Sequence, residues 1–453
     1  MSRFVKTKSF LKASLFGVCV FSCIQTTSAQ TLQDTVSLAL DYHPQVAEAD
    51  ANVSVVNQDI RIARSEYFPV ISLGAQGGRI YADNSTSRGT VTTRGAAYSG
   101  FGEGTASLRQ PIFNGFQTQN RVKSSKAEKE SAVLQLHDVQ ERISFQAVQA
   151  YLNVLQTREV LNRVLEQKAS VDDYVQRIET NVEDGGADES KLQQAIEVRV
   201  LLKSFIADYE SELKKAEAEY IQVTGILPPQ KIRFPTLDFA SMPAAPDQAI
   251  EIAYANHPAL EASNANIDSA KHGVKAERGV LYPELTGELS YLQSDRREEI
   301  GGEVTDARAV LRLGWDFETG GGQLARIKQR KYEVAQAKAR EHDIRIQIER
   351  NIRNAYAELD VTTKQLENQQ DRVKLNKKLF ETYQVQFEGG VVDILQLMQA
   401  DNELFTSEVE ELINNYSFVN ALYAVMASTG GLKDFIYKNS PIMGNAEYQT
   451  AEK

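Results

Sequence analysis

Two periodicities divide the chain. Over long stretches apolar residues recur at spacings of three and four: Leu136, Val139, Ile143, Ala147, Ala150 and Val154, then Leu161, Val164, Val171, Val175, Ile178 and Val182. This is the stripe of a helix that packs in a coiled coil. Elsewhere the period is two. Leu285, Gly287, Leu289 and Tyr291 alternate with Thr286, Glu288 and Ser290, and Ala309, Leu311, Leu313, Trp315 and Phe317 alternate with Arg308, Arg312 and Asp316. Earlier, Ile71, Leu73 and Ala75 alternate with Ser72 and Gln76, and Phe101, Glu103, Thr105, Ser107 and Arg109 alternate with Gly100, Gly102, Gly104 and Ala106. The pattern predicts four strands in two hairpins. Alternation over about ten residues, with aromatics near the ends, fits a membrane β-strand or a half-buried hairpin of a soluble domain.

Helix breakers sharpen the helical part. Residues 112–227 contain no proline, and between 116 and 224 the only glycines are Gly185 and Gly186. Residues 284–440 again lack proline, and between 323 and 429 the only glycines are Gly389 and Gly390. Each half therefore reads as two long helices joined by one tight turn. A helix over 117–182 is about 100 Å long at 1.5 Å per residue, too long for the wall of a compact domain. The helices return over 189–223 and 394–428, with Asp188 and Asp393 placed to cap them.

The halves are copies. Tyr42-His43-Pro44 is echoed by Asn256-His257-Pro258, and Phe68-Pro69 by Tyr282-Pro283, at an offset of 214. Ala150-Tyr151 and Ala355-Tyr356, Gly185 and Gly390, Asp188 and Asp393, Gln194-Ala195 and Gln399-Ala400, and Thr224-Gly225 and Thr429-Gly430 share an offset of 205. The first copy thus carries about nine extra residues, placed in the loop at 83–97. The expected division is a leader at 1–29, a first repeat at 30–227, a linker at 228–245, a second repeat at 246–432 and a tail at 433–453.

The leader changes the compartment. Arg3, Lys6, Lys8 and Lys12 precede a short apolar stretch, 13–24, and Thr27-Ser28-Ala29 reads as a cleavage site. Lipidation at Cys23 is the alternative, against which Phe21 is too bulky for the usual pattern. Both cysteines, Cys19 and Cys23, lie in this segment, so the exported chain folds without disulfides. It carries 46 basic against 61 acidic residues, a net charge of −15 that argues against nucleic-acid binding. No other stretch is apolar enough for a spanning helix. If the strands lie in lipid they must close, and four cannot. Copies must then pool them: two give eight, three give twelve.

These features lead to a resemblance. The twin His-Pro and aromatic-Pro signatures, Gln110-Pro111-Ile112-Phe113-Asn114-Gly115, the glycine turns and the run from Asp393-Ile394-Leu395 through Gln399-Ala400-Asp401-Asn402-Glu403-Leu404-Phe405 resemble the TolC-like outer membrane efflux and secretion family. Asn402-Glu403-Leu404-Phe405 is similar to its type I secretion branch. The resemblance implies a homotrimer in outer membrane lipid, with a 12-stranded barrel continued by a periplasmic helical tunnel. It implies docking through a periplasmic adaptor to an inner-membrane ABC transporter or proton-driven pump, with no cofactor and no catalysis. In the best-known member two aspartates three residues apart ring the periplasmic entrance. The matching positions here are Gln396 and Gln399, with Asp393 one turn nearer the tip. Gly185, Gly186, Asp188, Gly389 and Gly390 then form the tip turns that meet the adaptor, and residues 81–94 and 295–306 the extracellular loops. Alternatives are small-molecule efflux and a periplasmic coiled-coil scaffold without a pore.

Other motifs have plainer readings. Gly320-Gly321-Gly322 lacks the Lys-Ser/Thr of a phosphate loop and reads as a strand-to-helix joint. Glu183-Asp184 and Asp188-Glu189 do not have EF-hand spacing, and His43, His257 and Glu341-His342-Asp343 form no catalytic or metal constellation.

Overall fold

The computed structural model describes residues 30–82, 97–186, 188–235, 239, 242–296 and 303–438. The first repeat holds α1 (Leu32–Tyr42), α2 (Pro44–Ser65), β1 (Val70–Ala82), β2 (Ala97–Phe113), α3 (Gln117–Glu183) and α4 (Glu189–Thr224). The second holds α5 (Pro246–Asn256), α6 (Pro258–Arg278), β3 (Glu284–Arg296), β4 (Glu303–Gly314), α7 (Gly322–Glu388), α8 (Ile394–Ser428) and the short α9 (Leu432–Lys438). The expected strands and long helices are all present. The strands reach further than expected: residues 81–82, 295–296 and 303–306, read as parts of the extracellular loops 81–94 and 295–306, continue the cross-strand ladders of β1, β3 and β4. The leader, the rest of both loops and residues 439–453 lie outside the described residues.

The sheet is an antiparallel meander in the order β1-β2-β3-β4. Val70 faces Arg109 in the first hairpin and Glu284 faces Gly314 in the second, so β1 maps onto β3 at 214 and β2 onto β4 at 205. Tyr81 with Tyr98 matches Asp295 with Glu303, which places the extra residues of the first copy between the strands of its hairpin.

Helix α3 has neighbours on both flanks. It packs on α4 and α8 toward the turn end and on α2 and α6 toward the sheet. Its counterpart α7 packs on its own return helix α8 and on α6 and α5 of its own repeat. Of the seam residues predicted on α3, Ile143, Ala147, Ala150 and Val154 are buried against α1, α4, α8 and α9, and Val164, Val171, Val175 and Ile178 against Leu192, Ala195, Leu202, Ile394 and Met398, whereas Leu136, Val139, Leu161 and Val182 are half-buried; Tyr151 and Val160 join the buried set. A third cluster joins Ile250 and Leu260 to Ile348 and Ile352.

The repeated motifs have structural explanations. His43 and His257 cap α2 and α6, each Nδ1 accepting from the backbone N–H two residues on, at 3.3 and 3.2 Å. Burial keeps both imidazoles below their ordinary pKa, so they remain neutral acceptors at pH 7. Each His-Pro turn sits against the glycine that ends the returning helix of its repeat. Gly225 and Gly430 both have φ +77°, and a Cβ there would strike the Tyr42 ring or come within 2.8 Å of the Pro258 ring. The paired tyrosines tie down the inter-repeat segment: Tyr151 donates to the Arg233 carbonyl, and Tyr356 to that of Pro243 at 2.6 Å.

Candidate functional site

The end remote from the sheet is built from two matching turns. After α3 and after α7 the chain closes a Schellman motif, in which Gly186 N–H bonds Asn181 O and Val391 N–H bonds Gln386 O, both at 2.8 Å. The motif needs one left-handed residue, supplied by Gly185 (φ +74°) and Gly390 (φ +69°), with Gly186 and Gly389 beside them. The neighbouring carboxylates differ. Asp393 accepts from Leu395 N–H and Gln396 N–H at 2.9 and 3.1 Å, and Gln396 Oε1 accepts from Asp393 N–H at 3.2 Å, closing a capping box. Asp188 makes no such side-chain bond, contrary to its expected capping role. The reciprocal half of the box is also missing: three residues on, α8 has Gln396, whereas α4 has Lys191, which offers no acceptor.

Lys191 reaches across to the other hairpin and donates to Asp393 Oδ2 at 2.9 Å. Desolvation raises the Asp393 pKa, but the bond from Lys191, the Gln396 N–H, the Lys191 charge and the Leu395 N–H outweigh it and hold the carboxyl below its ordinary value. Gln396 and Gln399 are exposed on α8, in one stripe with Glu403 and Thr406. Ile394, Leu397, Met398 and Ala400 are buried on the opposite side. Sequence reasoning did not single out Glu403 as a member of this stripe; its position seven residues beyond Gln396 is the signal that finds it. Further along, Gln167 donates to Asp401 at 3.0 Å between α3 and α8, and burial pushes the Asp401 carboxyl up.

At the other end the sheet has two unlike faces. Ile71, Leu73, Leu108, Leu289, Leu311 and Leu313 share one, with Leu73 80% and Leu311 71% exposed. The other carries Arg109, Glu288 and Arg312, whose charges meet at 3.8 and 3.0 Å across three strands. Trp315 and Phe317 pair at one edge of the apolar face, Tyr81 and Tyr98 at the opposite edge. An exposed leucine face bounded by aromatics suits lipid, and the charged face suits water. Among the described residues no helix is long and apolar enough to cross a membrane, and no cluster of ligating side chains could hold a metal.

The family model for outer membrane efflux proteins matches residues 35–225 and 249–431, one span in each repeat. The chain belongs to the outer membrane efflux protein family. As such it is a non-enzymatic channel of the Gram-negative outer membrane, its strands in that membrane and its helices in the periplasm. The chain is similar to outer membrane efflux protein BepC of Brucella suis, with 24% identity over 90% of this chain and 86% of BepC. It is also similar to toxin and drug export protein A of Aggregatibacter actinomycetemcomitans, 23% identical over 54% of each. The CmeC outer membrane channel of Campylobacter jejuni shares the fold, with a TM-score of 0.75 at 16% identity over 90% of this chain and 88% of CmeC. The coiled coil, the duplication and the divided sheet are features of this efflux protein's own chain, and they agree with that fold.

Proposed function

We propose that three copies form a continuous duct across the outer membrane and periplasm that serves type I protein secretion, with a periplasmic adaptor and an inner-membrane ABC transporter. The observation that carries the ring is the half-empty surroundings of α7. Helix α3 lies between its own return helix and that of the other repeat; α7 has only its own. A neighbouring copy's α4 fills the vacancy, as its α2 fills the one beside the sheet. Val200, Leu201 and Phe205 are exposed on α4, and Leu375 and Leu379 on α7, as this pairing requires.

In this duct Asp393, Gln396 and Gln399 form the constriction. The turns holding Gly185, Gly186, Asp188, Gly389 and Gly390 receive the adaptor, because they are the helix breaks farthest from the sheet. The secretion reading rests on Asn402-Glu403-Leu404-Phe405, and one relative is named for export of toxin and drug alike. Small-molecule efflux is the second reading, favoured by the efflux named for BepC. Deleting the gene and following both exported proteins and drug susceptibility separates them. Loss of a large secreted protein with unchanged drug tolerance supports secretion; the reverse overturns it.

A further inference from the structure

We infer that the helix ends nearest the sheet carry an outward belt of cations that holds anionic phospholipid headgroups of the periplasmic leaflet. The inference rests on the ring proposed above. Aromatic residues mark the level of the leaflet. Tyr67, Phe68, Phe116, Tyr282, Trp315 and Phe317 lie at the four joints between strands and helices, and all are exposed. Exposed aromatics between a leucine face and polar helices sit at the boundary of hydrocarbon and headgroups. On the helix side of that boundary stand Arg61, Arg64, Lys123, Lys275, Arg278 and Lys328. Each is exposed and has no ion-pair partner among the described residues. At 1.5 Å per residue they lie within about 10 Å of the helix ends. Nearby carboxylates are engaged elsewhere: Glu66 takes Arg121, Glu277 and Glu318 share Arg326, and Glu128 accepts from Ser269. The exported chain is strongly acidic overall, so this positive surplus is local.

Helical spacing puts the belt on the outer side of the wall. Helices α3, α6 and α7 share one hollow, lined among others by Gln135, Ser269 and Ala337. Three successive helices of a curved wall share a hollow on its concave side, which in a ring faces the axis. Gln135 also lines the hollow between α2 and α3, with Asn52, so that hollow faces inward too. Arg61, Arg278 and Lys328 each stand nine residues from an inward residue: Asn52, Ser269 and Ala337. Nine residues are two and a half turns, which is the opposite side of the helix. A separate groove between α3 and α6 is lined by Lys126 and Asp268. Lys123 precedes Lys126 by three and Lys275 follows Asp268 by seven, so both continue that outer groove toward the sheet. The occupant follows from what the belt adjoins. Next to the lipid-facing leucines comes the phosphate-bearing headgroup layer. Lys and Arg stems lie along apolar surface and lift their charge to it, and an anionic leaflet attracts them over roughly one Debye length, ~8 Å.

Spin-labelled lipids test this on the full oligomer in phosphatidylcholine vesicles. At low salt, labelled phosphatidylglycerol is expected to associate about threefold more strongly than labelled phosphatidylcholine, and the preference to vanish in 1 M salt. The triple variant Lys123→Gln, Lys275→Gln, Lys328→Gln is expected to lose it. Arginine at the same three positions retains it, which separates loss of charge from damage to packing. Lys374→Gln, Lys377→Gln, Lys378→Gln makes the same charge change about 70 Å farther along α7 and leaves the preference intact. Equal association of both lipids with the unmodified protein overturns the inference, as does a preference that survives the belt variant or is lost equally in both glutamine variants. A belt variant that changes only single-channel ion selectivity places the cations on the axis and overturns the outward face. One that loses only co-purifying adaptor assigns the belt to a protein and overturns the lipid. A monomeric mass for the detergent-extracted protein overturns the ring beneath, whatever the lipid preference.

Discussion

At the scale of single residues, Asp401 shows how burial and hydrogen bonding oppose each other. Desolvation raises its carboxyl despite the Gln167 amide. An acid whose folded pKa is raised lowers stability as pH rises from its unfolded value, and the penalty is complete above the folded one. Asp401→Asn keeps an acceptor for Gln167 and removes the charge. It is expected to raise the heat resistance of the oligomer at pH 7.5, with the gain shrinking as pH falls toward the ordinary aspartate value near ~3.9; melting curves across that window check it. Asp393 separates two roles. Asp393→Asn retains the cap and loses the ion pair, while Asp393→Ala also loses the cap, a further cost of about 1 kcal/mol. Denaturation midpoints of the two variants should differ by that step. Gly430→Val sets a β-branched residue at φ +77° against Pro258 and is expected to cost roughly 1–3 kcal/mol, read as loss of assembled protein in the membrane fraction.

At the scale of elements, the long helices were legible because their signal is redundant. Many heptad positions agree, and glycine interrupts only where the chain turns. The hairpin strands were legible as strands, but alternation alone did not separate lipid from a soluble core. The structure adds the side-by-side alignment of Leu73, Leu108, Leu289 and Leu311 on one face. Asp188 takes the N-cap position of α4 without the capping bond, and the return bond that Gln396 gives Asp393 has no counterpart there because Lys191 carries no acceptor. The ion pair from Lys191 to Asp393 spans 202 residues and leaves no local trace in the sequence. For the proposed constriction, the double variant Gln396→Asp, Gln399→Asp would put six carboxylates around the axis of three chains. Single-channel recordings are expected to show cation preference raised on the order of tenfold and block by divalent ions. Unchanged selectivity would place the constriction elsewhere. Gly390→Val is expected to leave assembly intact while cutting export severalfold, because strain at φ +69° falls on the turn alone.

At the scale of the whole molecule, the duplication lets one chain specify its neighbours. In a ring of three chains, six hairpins meet at six joints of two kinds. Three lie within chains and are stitched by Lys191 and Asp393. With the repeat offset applied to that pair, the three joints between chains are expected to oppose Gln396 to Asp188 of the partner subunit, two side chains that form no ion pair. A sixfold iris would part at every joint alike. This tip is expected to part like a three-jawed chuck, each jaw a chain moving as one piece, and the aperture it makes would be triangular rather than round.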